Sequence, residues 1–452
     1  MSHNKKLTEG SIFRSLVRLS IPLILTNILQ TAYNLTDTFW VGRLGTDAVA
    51  SVSISFPIIF IIVSLGMGIA IAGSIMLAQF KGAENQKQID HVATQTLVGV
   101  FLISIVLALA GYFLSPFIIE LMHTEISVYQ DAVAYLKISF IGMIAMFIFM
   151  VFQSLMKSLG NVKLPFYIVL STVLLNLILD PLFIFGFANI VPKNGVKGAA
   201  IATVFTQAVA ALISIALLVK GNNGIHIRLK RYKPDWNIIK KLFKIGIPVS
   251  VEQVSRSLGM LVMIFLVSAF GTLAIASYGI GTRIFSFVII PAFGLGMATS
   301  TLVGQNIGAL KSERAVKTVK VSMSVAFIVL SILGILLYIF AARIAGFFVP
   351  NEMLTIQESA IFIRIISVSF GFVGILIVII GALRGAGNTK LSMLLTIFSV
   401  WILRFPLAYF LSEYTHFKEI GIWLSYPATN ILTAIVGLYI FKYGNWIKKR
   451  ME

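Results

Sequence analysis

The chain has 452 residues, of which 58% are hydrophobic and only 12% charged, with a mean hydropathy of +0.95 and a formal net charge of +19. That composition cannot be arranged as a soluble globule, so a soluble enzyme domain is excluded and an integral membrane protein is expected. Cysteine is absent, which removes disulfides, thiol catalysis and cysteine-based metal sites.

A helix needs about 20 apolar residues to cross a hydrocarbon core of about 30 Å. Twelve stretches of that kind follow one another, with cores near residues 15–40, 52–79, 93–116, 133–156, 165–187, 198–219, 244–270, 274–304, 321–342, 361–382, 391–411 and 421–441. The 35 Gly and 12 Pro are scattered through them, as in transmembrane helices and unlike the alternating strands of a β-barrel. The expected fold is therefore an all-α membrane protein of twelve spans. Residues 1–20 carry charges ahead of a long helix and no small-residue cleavage site, so no removable signal peptide is expected.

With Arg18, Lys137 and Lys244, near the ends of their helix cores, counted with the adjoining terminus or loops, 26 of the 36 Lys and Arg fall in the termini and the even-to-odd loops, 6 in the odd-to-even loops and 4 within helices. Lys and Arg mark the cytoplasmic side, so both termini are expected there, in a multi-pass protein of the cell inner (plasma) membrane. The positive charge is thus a topology signal, and no nucleic-acid partner is expected.

The longest hydrophilic stretch, Lys220 to Lys244, contains Lys230, Arg231, Lys233, Lys240 and Lys241 and sits near mid-chain. Sliding the chain by 226 residues superposes Ile21-Pro22 on Ile247-Pro248, Leu44-Gly45-Thr46 on Phe270-Gly271-Thr272, and Gln79 with Gly82-Ala83 on Gln305 with Gly308-Ala309. Gly160-Asn161 meets Gly387-Asn388 at a shift of 227. These matches fall in register at helix ends and loops, which indicates duplication. The expected domains are a six-helix bundle over 1–220, a basic linker over 221–243 and a second bundle over 244–452. An even number of spans per copy returns the chain to the same side, so the copies are expected to be related by a pseudo-two-fold axis along the membrane normal, an architecture suited to alternating access.

Several segments resemble the multidrug and toxic compound extrusion (MATE) transporters. They are Leu29 to Trp40 in helix 1, Asn176 to Asp180-Pro181 in helix 5, Gly198-Ala199-Ala200 with Ala202-Thr203 opening helix 6, and Leu383-Arg384-Gly385 with Gly387-Asn388-Thr389 after helix 10. The resemblance covers essentially the whole chain and is nearest the prokaryotic DinF-like branch. It implies a secondary exporter of amphipathic or cationic organic compounds, driven by a proton gradient or by Na+, with Asp37 and Asp180 as coupling residues and without a cofactor. It also implies cavity residues in helix 4, where Tyr135 and Gln153 stand. The NorM-like branch places carboxylates in helices 7 and 10 as well; the matching positions here are Arg256 and Val373, which argues against a second-half cation site.

The same residues stand out on physical grounds, because a charge at mid-membrane costs at least about 2.5–3.5 kcal/mol on insertion scales. The twelve-span reading leaves Asp37, Asp180 and Glu252 as membrane acids and Arg256, Arg283, Arg364 and Arg404 as membrane bases. Thr26, Gln30, Tyr33 and Asp37 follow a 4, 3, 4 spacing and share one face of helix 1. A stripe of that kind also serves as packing glue, but glue does not need a carboxylate. Asn34 lies off that face. Asn176 and Asp180 are i, i+4, and Pro181 removes a backbone hydrogen bond beside them, leaving oxygens to coordinate a cation. Thr203 is a further oxygen ligand, or a local backbone hydrogen-bonder. The set Asp37, Asn176, Asp180 and Thr203 suits a proton or Na+, and Gln30, Tyr33, Asn34, Tyr135 and Gln153 are candidate substrate contacts. Glu252 and Arg256, i, i+4 with the acid first, form the favourable order for a structural ion pair. Pro22 is a candidate hinge, or a fixed kink.

Three other functions compete with transport of this kind. A lipid-linked saccharide flippase of the same superfamily would use basic cavity residues. A membrane enzyme would need a nucleophile and base or a metal cluster at membrane depth, and no such set is present in the sequence. A channel fits the duplication less well than alternating access does. A monomer handling small-molecule substrates within the lipid is expected.

Overall fold

A computed structural model describes residues 7–187, 190–227 and 232–447; Lys230 and Arg231 of the basic linker lie outside them. The described chain is helical apart from an isolated bridge between Phe187 and Val191. The first copy is built of α1 (Ile12–Gly42), α2 (Thr46–Gly82), α3 (Gln86–Leu121), α4 (Ile126–Ser158), α5 (Lys163–Phe185) and α6 (Val196–Lys220). The second begins with α7 (Trp236–Ser268), α8 (Thr272–Gly308) and α9 (Ser312–Phe348). Its fourth span is broken into α10 (Met353–Ser367) and α11 (Phe370–Gly385), bent by 53°. The fifth runs from α12 (Thr389–Ile397) through a π-helical segment (Phe398–Arg404) into α13 (Phe405–Glu413), and α14 (Glu419–Tyr443) is the sixth. Eleven helices are long and apolar enough to cross a membrane, and twelve spans result when the bent pair counts as one.

The duplication is written in the backbone. α2 and α8 are each 37 residues long and begin 226 residues apart. Each is preceded by a glycine in the left-handed region, Gly45 at φ 118° and Gly271 at φ 87°, a conformation only glycine reaches without strain. The turns after these helices repeat as well, with Glu84 at φ 57° and Leu310 at φ 60°.

The chain divides into two compact units whose limits differ from the expected 1–220 and 244–452. The amino-terminal unit spans Leu25–Ser250, and the carboxy-terminal unit combines Met1–Ile24 with Val251–Glu452. The start of α1 thus packs with the second copy and the start of α7 with the first. Both transfers fall just after a proline inside the helix, Pro22 in α1 and Pro248 in α7. A helix-internal proline removes a backbone hydrogen bond, so each helix is weakest where it passes from one unit to the other.

In the amino-terminal unit, Phe140, Phe147 and Phe152 of α4 are fully buried. Val41, Ala48, Ile184, Val196 and Ala199 form a smaller cluster against Trp40 and Tyr135. In the carboxy-terminal unit an aromatic stack holds the core: Trp423 lies 4.4 Å from Phe362 and 5.8 Å from Tyr278, ring centroid to centroid. α8 and α11 approach so closely that a Cβ on Gly381 would meet the Gly296 carbonyl, the small-residue contact expected where lipid supplies no hydrophobic drive between helices. Large apolar side chains such as Phe113, Phe265 and Phe347 point outward, as lipid-facing residues do.

Candidate functional site

α1, α5 and α6 bring the acidic residues of the amino-terminal unit together. Asp37 stands five residues before the end of α1, and Asp180 five before the end of α5, about 7–8 Å along each helix axis. Asn176 and Asp180 are fully buried, and the Asn176 Nδ2 donates to Asp180 Oδ1 at 2.9 Å. Thr203 Oγ1 donates to Asp37 Oδ2 at 3.2 Å. The Asp37 carboxyl faces both the Asp180 carboxyl and the Asn176 side chain, so the two acids form one group. Tyr33, one turn before Asp37, bonds Thr206 Oγ1 at 2.8 Å, and Thr206 in turn donates to the Thr203 carbonyl at 2.9 Å.

The chemistry of the cluster is set by what its oxygens lack. Asp37 Oδ1, Asp180 Oδ2 and Asn176 Oδ1 are all buried without a hydrogen-bond donor. Three orphan acceptors in one place are costly, and each calls for a donor: a proton on a carboxyl, a water or a cation. Pro181 adds to the set, because its missing N–H leaves the Leu177 carbonyl without its helical donor. Carboxylate, amide and hydroxyl oxygens suit a proton or a hard monovalent cation. Among the described residues no group of three or more His, Asp and Glu is placed to hold a metal ion.

Of the residues singled out from the sequence, Asp37, Asn176, Asp180, Thr203 and Tyr33 are therefore brought together. Tyr135 of α4 is close enough to feel the charge of both aspartates. Gln30 and Asn34 are exposed and Gln153 is half-buried, and no hydrogen bond links their side chains to the cluster. Thr206 was missed, although it sits three residues beyond Thr203 and so on the same face of α6.

The second constellation lies in the carboxy-terminal unit. Glu252 is the middle residue of α7 and fully buried. Its Oε1 accepts from Arg256 at 3.0 Å, as the i, i+4 spacing predicts, and also from Arg384 at 3.0 Å. Ser392 donates to Oε2 at 2.6 Å and Thr396 to Oε1 at 3.1 Å. Glu252 is saturated by donors, the opposite of the Asp37–Asp180 group. Both Glu252 oxygens are thus occupied by donors of this chain. Arg384 was read as a residue after helix 10; it is the penultimate residue of α11.

A family model described as MatE matches the chain twice, over residues 22–182 and 248–410. The chain belongs to the MatE family. The two matches start 226 residues apart, at Pro22 and Pro248, the same offset as the internal repeat. The probable multidrug resistance protein YoeA of Bacillus subtilis is 32% identical over 452 residues, covering 99% of this chain and 96% of that protein. An FAD transporter of Shewanella oneidensis is 27% identical over 446 residues, covering 97% and 96%. A multidrug resistance MATE transporter of the MOP superfamily, solved in an outward-facing conformation, superposes with a TM-score of 0.88 at 26% identity over 96% of each chain. The chain is accordingly a multi-pass membrane transporter of the multidrug efflux class, and not an enzyme.

Proposed function

We propose that this MATE transporter is a proton-coupled exporter of the DinF-like branch, in which Asp37 and Asp180 with Asn176 and Thr203 exchange a proton during each cycle. The carrying observation is the set of orphan acceptors on facing carboxyls. Two carboxylates this close cannot both stay ionised at low cost, and one proton shared between them supplies a donor to the unpaired oxygens. Protonation removes the charge on which Thr203 and Asn176 converge, so it changes how α1 is held against α5 and α6. That is a two-state element with a chemical input. The outward-released compound is an amphipathic molecule reached through Tyr33 and Tyr135, with Gln30, Asn34 and Gln153 as further contacts.

Na+ coupling is the second reading, favoured by the same oxygens: Asp37, Asp180, Asn176 and Thr203 offer the hard ligands a monovalent cation takes. Dye efflux from everted membrane vesicles, with the pH gradient and the Na+ gradient imposed separately, decides between them. Efflux driven by the pH gradient in Na+-free buffer supports the proton. Efflux that follows only the Na+ gradient replaces it. We further propose that the protein acts as a monomer in the plasma membrane, with both termini cytoplasmic on the Lys and Arg distribution.

A further inference from the structure

The carboxy-terminal unit has the reverse charge balance. Three guanidiniums gather at membrane depth against one carboxylate. Arg256 lies close enough to both Arg384 and Arg404 to be repelled by each. Glu252 answers Arg256 and Arg384 together through one oxygen, Oε1. Arg404 pairs with no acid among the described residues: its Nε donates to Thr429 at 3.2 Å and its terminal nitrogen to Asn430 at 2.7 Å, and its guanidinium lies 4.5 Å from the Tyr426 ring centroid. All three partners are neutral. Asn430 is itself fixed by donating to Ser369 at 3.0 Å, and Tyr426 by its 2.8 Å bond to Tyr278.

Two further observations point to a ligand. The Nε atoms of Arg256 and Arg384 are buried with no acceptor, so the donors outnumber what this chain offers them. Arg256 and Arg384 nevertheless keep 25% and 19% of their side-chain surface open, so neither side chain is sealed off. Arg404 is also aimed by an irregularity. It ends the π-helical segment, where the Phe405 N–H bonds the Val400 carbonyl five residues back. Pro406, two residues on, lacks an N–H and disfavours the regular α-helical continuation. Single π turns of this kind commonly occur at functional sites.

An excess of partly buried positive charge with unanswered donors favours an anion that meets it. We propose that Arg256, Arg384 and Arg404, braced by Asn430 and Tyr426, form a site for the oxyanion, carboxylate or phosphate, of an amphipathic substrate. The exporter then takes anionic and zwitterionic compounds, not cations alone. The proposal rests on the reading of the chain as an exporter but not on its coupling ion, and the test needs no gradient.

Purified protein in phosphatidylcholine nanodiscs is titrated with fluorescein, a xanthene carboxylate dianion, and with rhodamine 6G, an esterified xanthene cation. Wild type is expected to bind fluorescein. Arg404→Gln is expected to weaken fluorescein relative to rhodamine 6G by about tenfold or more, the scale of a lost charge-assisted contact, and Arg404→Lys to recover most of that ratio. Displacement of fluorescein by inorganic phosphate identifies a free anion as the ligand, and displacement by soluble dihexanoyl phosphatidylglycerol alone identifies a lipid headgroup. The proposal fails if wild type binds rhodamine 6G but not fluorescein, or if neither competitor displaces fluorescein. It fails equally if a normally melting Arg404→Gln leaves the ratio unchanged. Should that variant not fold, the wild-type titration and competition still decide. A failed proton-coupling assay with intact fluorescein binding would overturn the coupling reading alone.

Discussion

Glu252→Gln removes the one carboxylate that, among the described residues, pairs with Arg256 and Arg384, and keeps its size. The carboxylate is fully buried and accepts from Arg256, Arg384, Ser392 and Thr396. Breaking a buried ion pair by deleting one partner costs about 3–5 kcal/mol. Here both guanidiniums keep some access to solvent, at 25% and 19% of their side-chain surface, which lowers the cost toward the bottom of that range, about 3 kcal/mol. The Gln amide also presents an NH2 to donors that expected an oxygen. For a unit of roughly 200 residues, 1 kcal/mol moves the melting temperature by about 2–4 °C, so a drop of roughly 6–12 °C is expected. Melting of the detergent-solubilised protein, followed by fluorescence-detected size exclusion, measures it. Adding Arg256→Gln should return part of the loss, because it withdraws one of the uncompensated charges. Unchanged melting together with abolished ion dependence of transport would refute this account and make Glu252 a coupling residue.

Asp37→Asn and Asp180→Asn should each abolish drug resistance in cells at near-normal expression, and the double variant should be little worse than either, since the two act as one group; growth in the presence of a substrate dye checks this. Tyr33→Phe, which deletes the hydroxyl bonded to Thr206, should cost about 1 kcal/mol of stability and leave gradient-driven efflux measurable in vesicles. Gly381→Leu should destabilise by about 1–3 kcal/mol, because α11 must move away from the Gly296 carbonyl; the melting assay detects it. Pro22→Ala should slow turnover in proteoliposomes under an imposed pH gradient and leave proton binding by the aspartates intact; turnover at the wild-type rate would make Pro22 a fixed kink.

The spans and the duplication could be read from the chain because they rest on local chemistry. Apolar length marks a span wherever it occurs, and Gly45 and Gly271 recur where the backbone needs a positive φ. The acidic cluster was readable for a related reason. Asp37, Asn176 and Asp180 are expensive in lipid, and their helical spacing alone assigns them to faces. Tyr33 followed from the same spacing and Thr203 from its place near the end of helix 6, whereas Gln30, Asn34 and Gln153 did not join, since a polar side chain on a face does not say which neighbour it meets. Arg384 escaped because its position after a predicted helix end made it look like a loop base, and only tertiary packing carries it to Glu252. The break at Val368–Ser369 was likewise missed, because Ser367 and Ser369 are too few and too small to interrupt the apolar run on either side. The π turn before Pro406 had a local signal, but a proline announces a disturbance without its form.

The two copies diverged in charge while their backbones stayed in register. Each copy's first helix carries a membrane acid past its proline, Asp37 in α1 and Glu252 in α7. In the amino-terminal unit the acid meets a second acid and an amide, and oxygens are left over. In the carboxy-terminal unit the acid meets two arginines and two hydroxyls, and donors are left over. Orphan acceptors recruit a proton or cation, and orphan donors recruit an anion. On the two readings proposed above, duplication followed by opposite substitution gives different partners to equivalent scaffolds: the coupling ion to the first copy and a charged group of the cargo to the second. A single substitution in either cluster should disturb one of these roles at a time, which is why the Asp37→Asn and Arg404→Gln variants belong in the same experiment. Loss of gradient-driven efflux with retained fluorescein binding is expected for the first, and the converse loss of fluorescein preference for the second. A variant of one cluster that abolished both measurements while melting normally would mean that the two copies share one site, and the division of labour argued from their leftover atoms would be wrong.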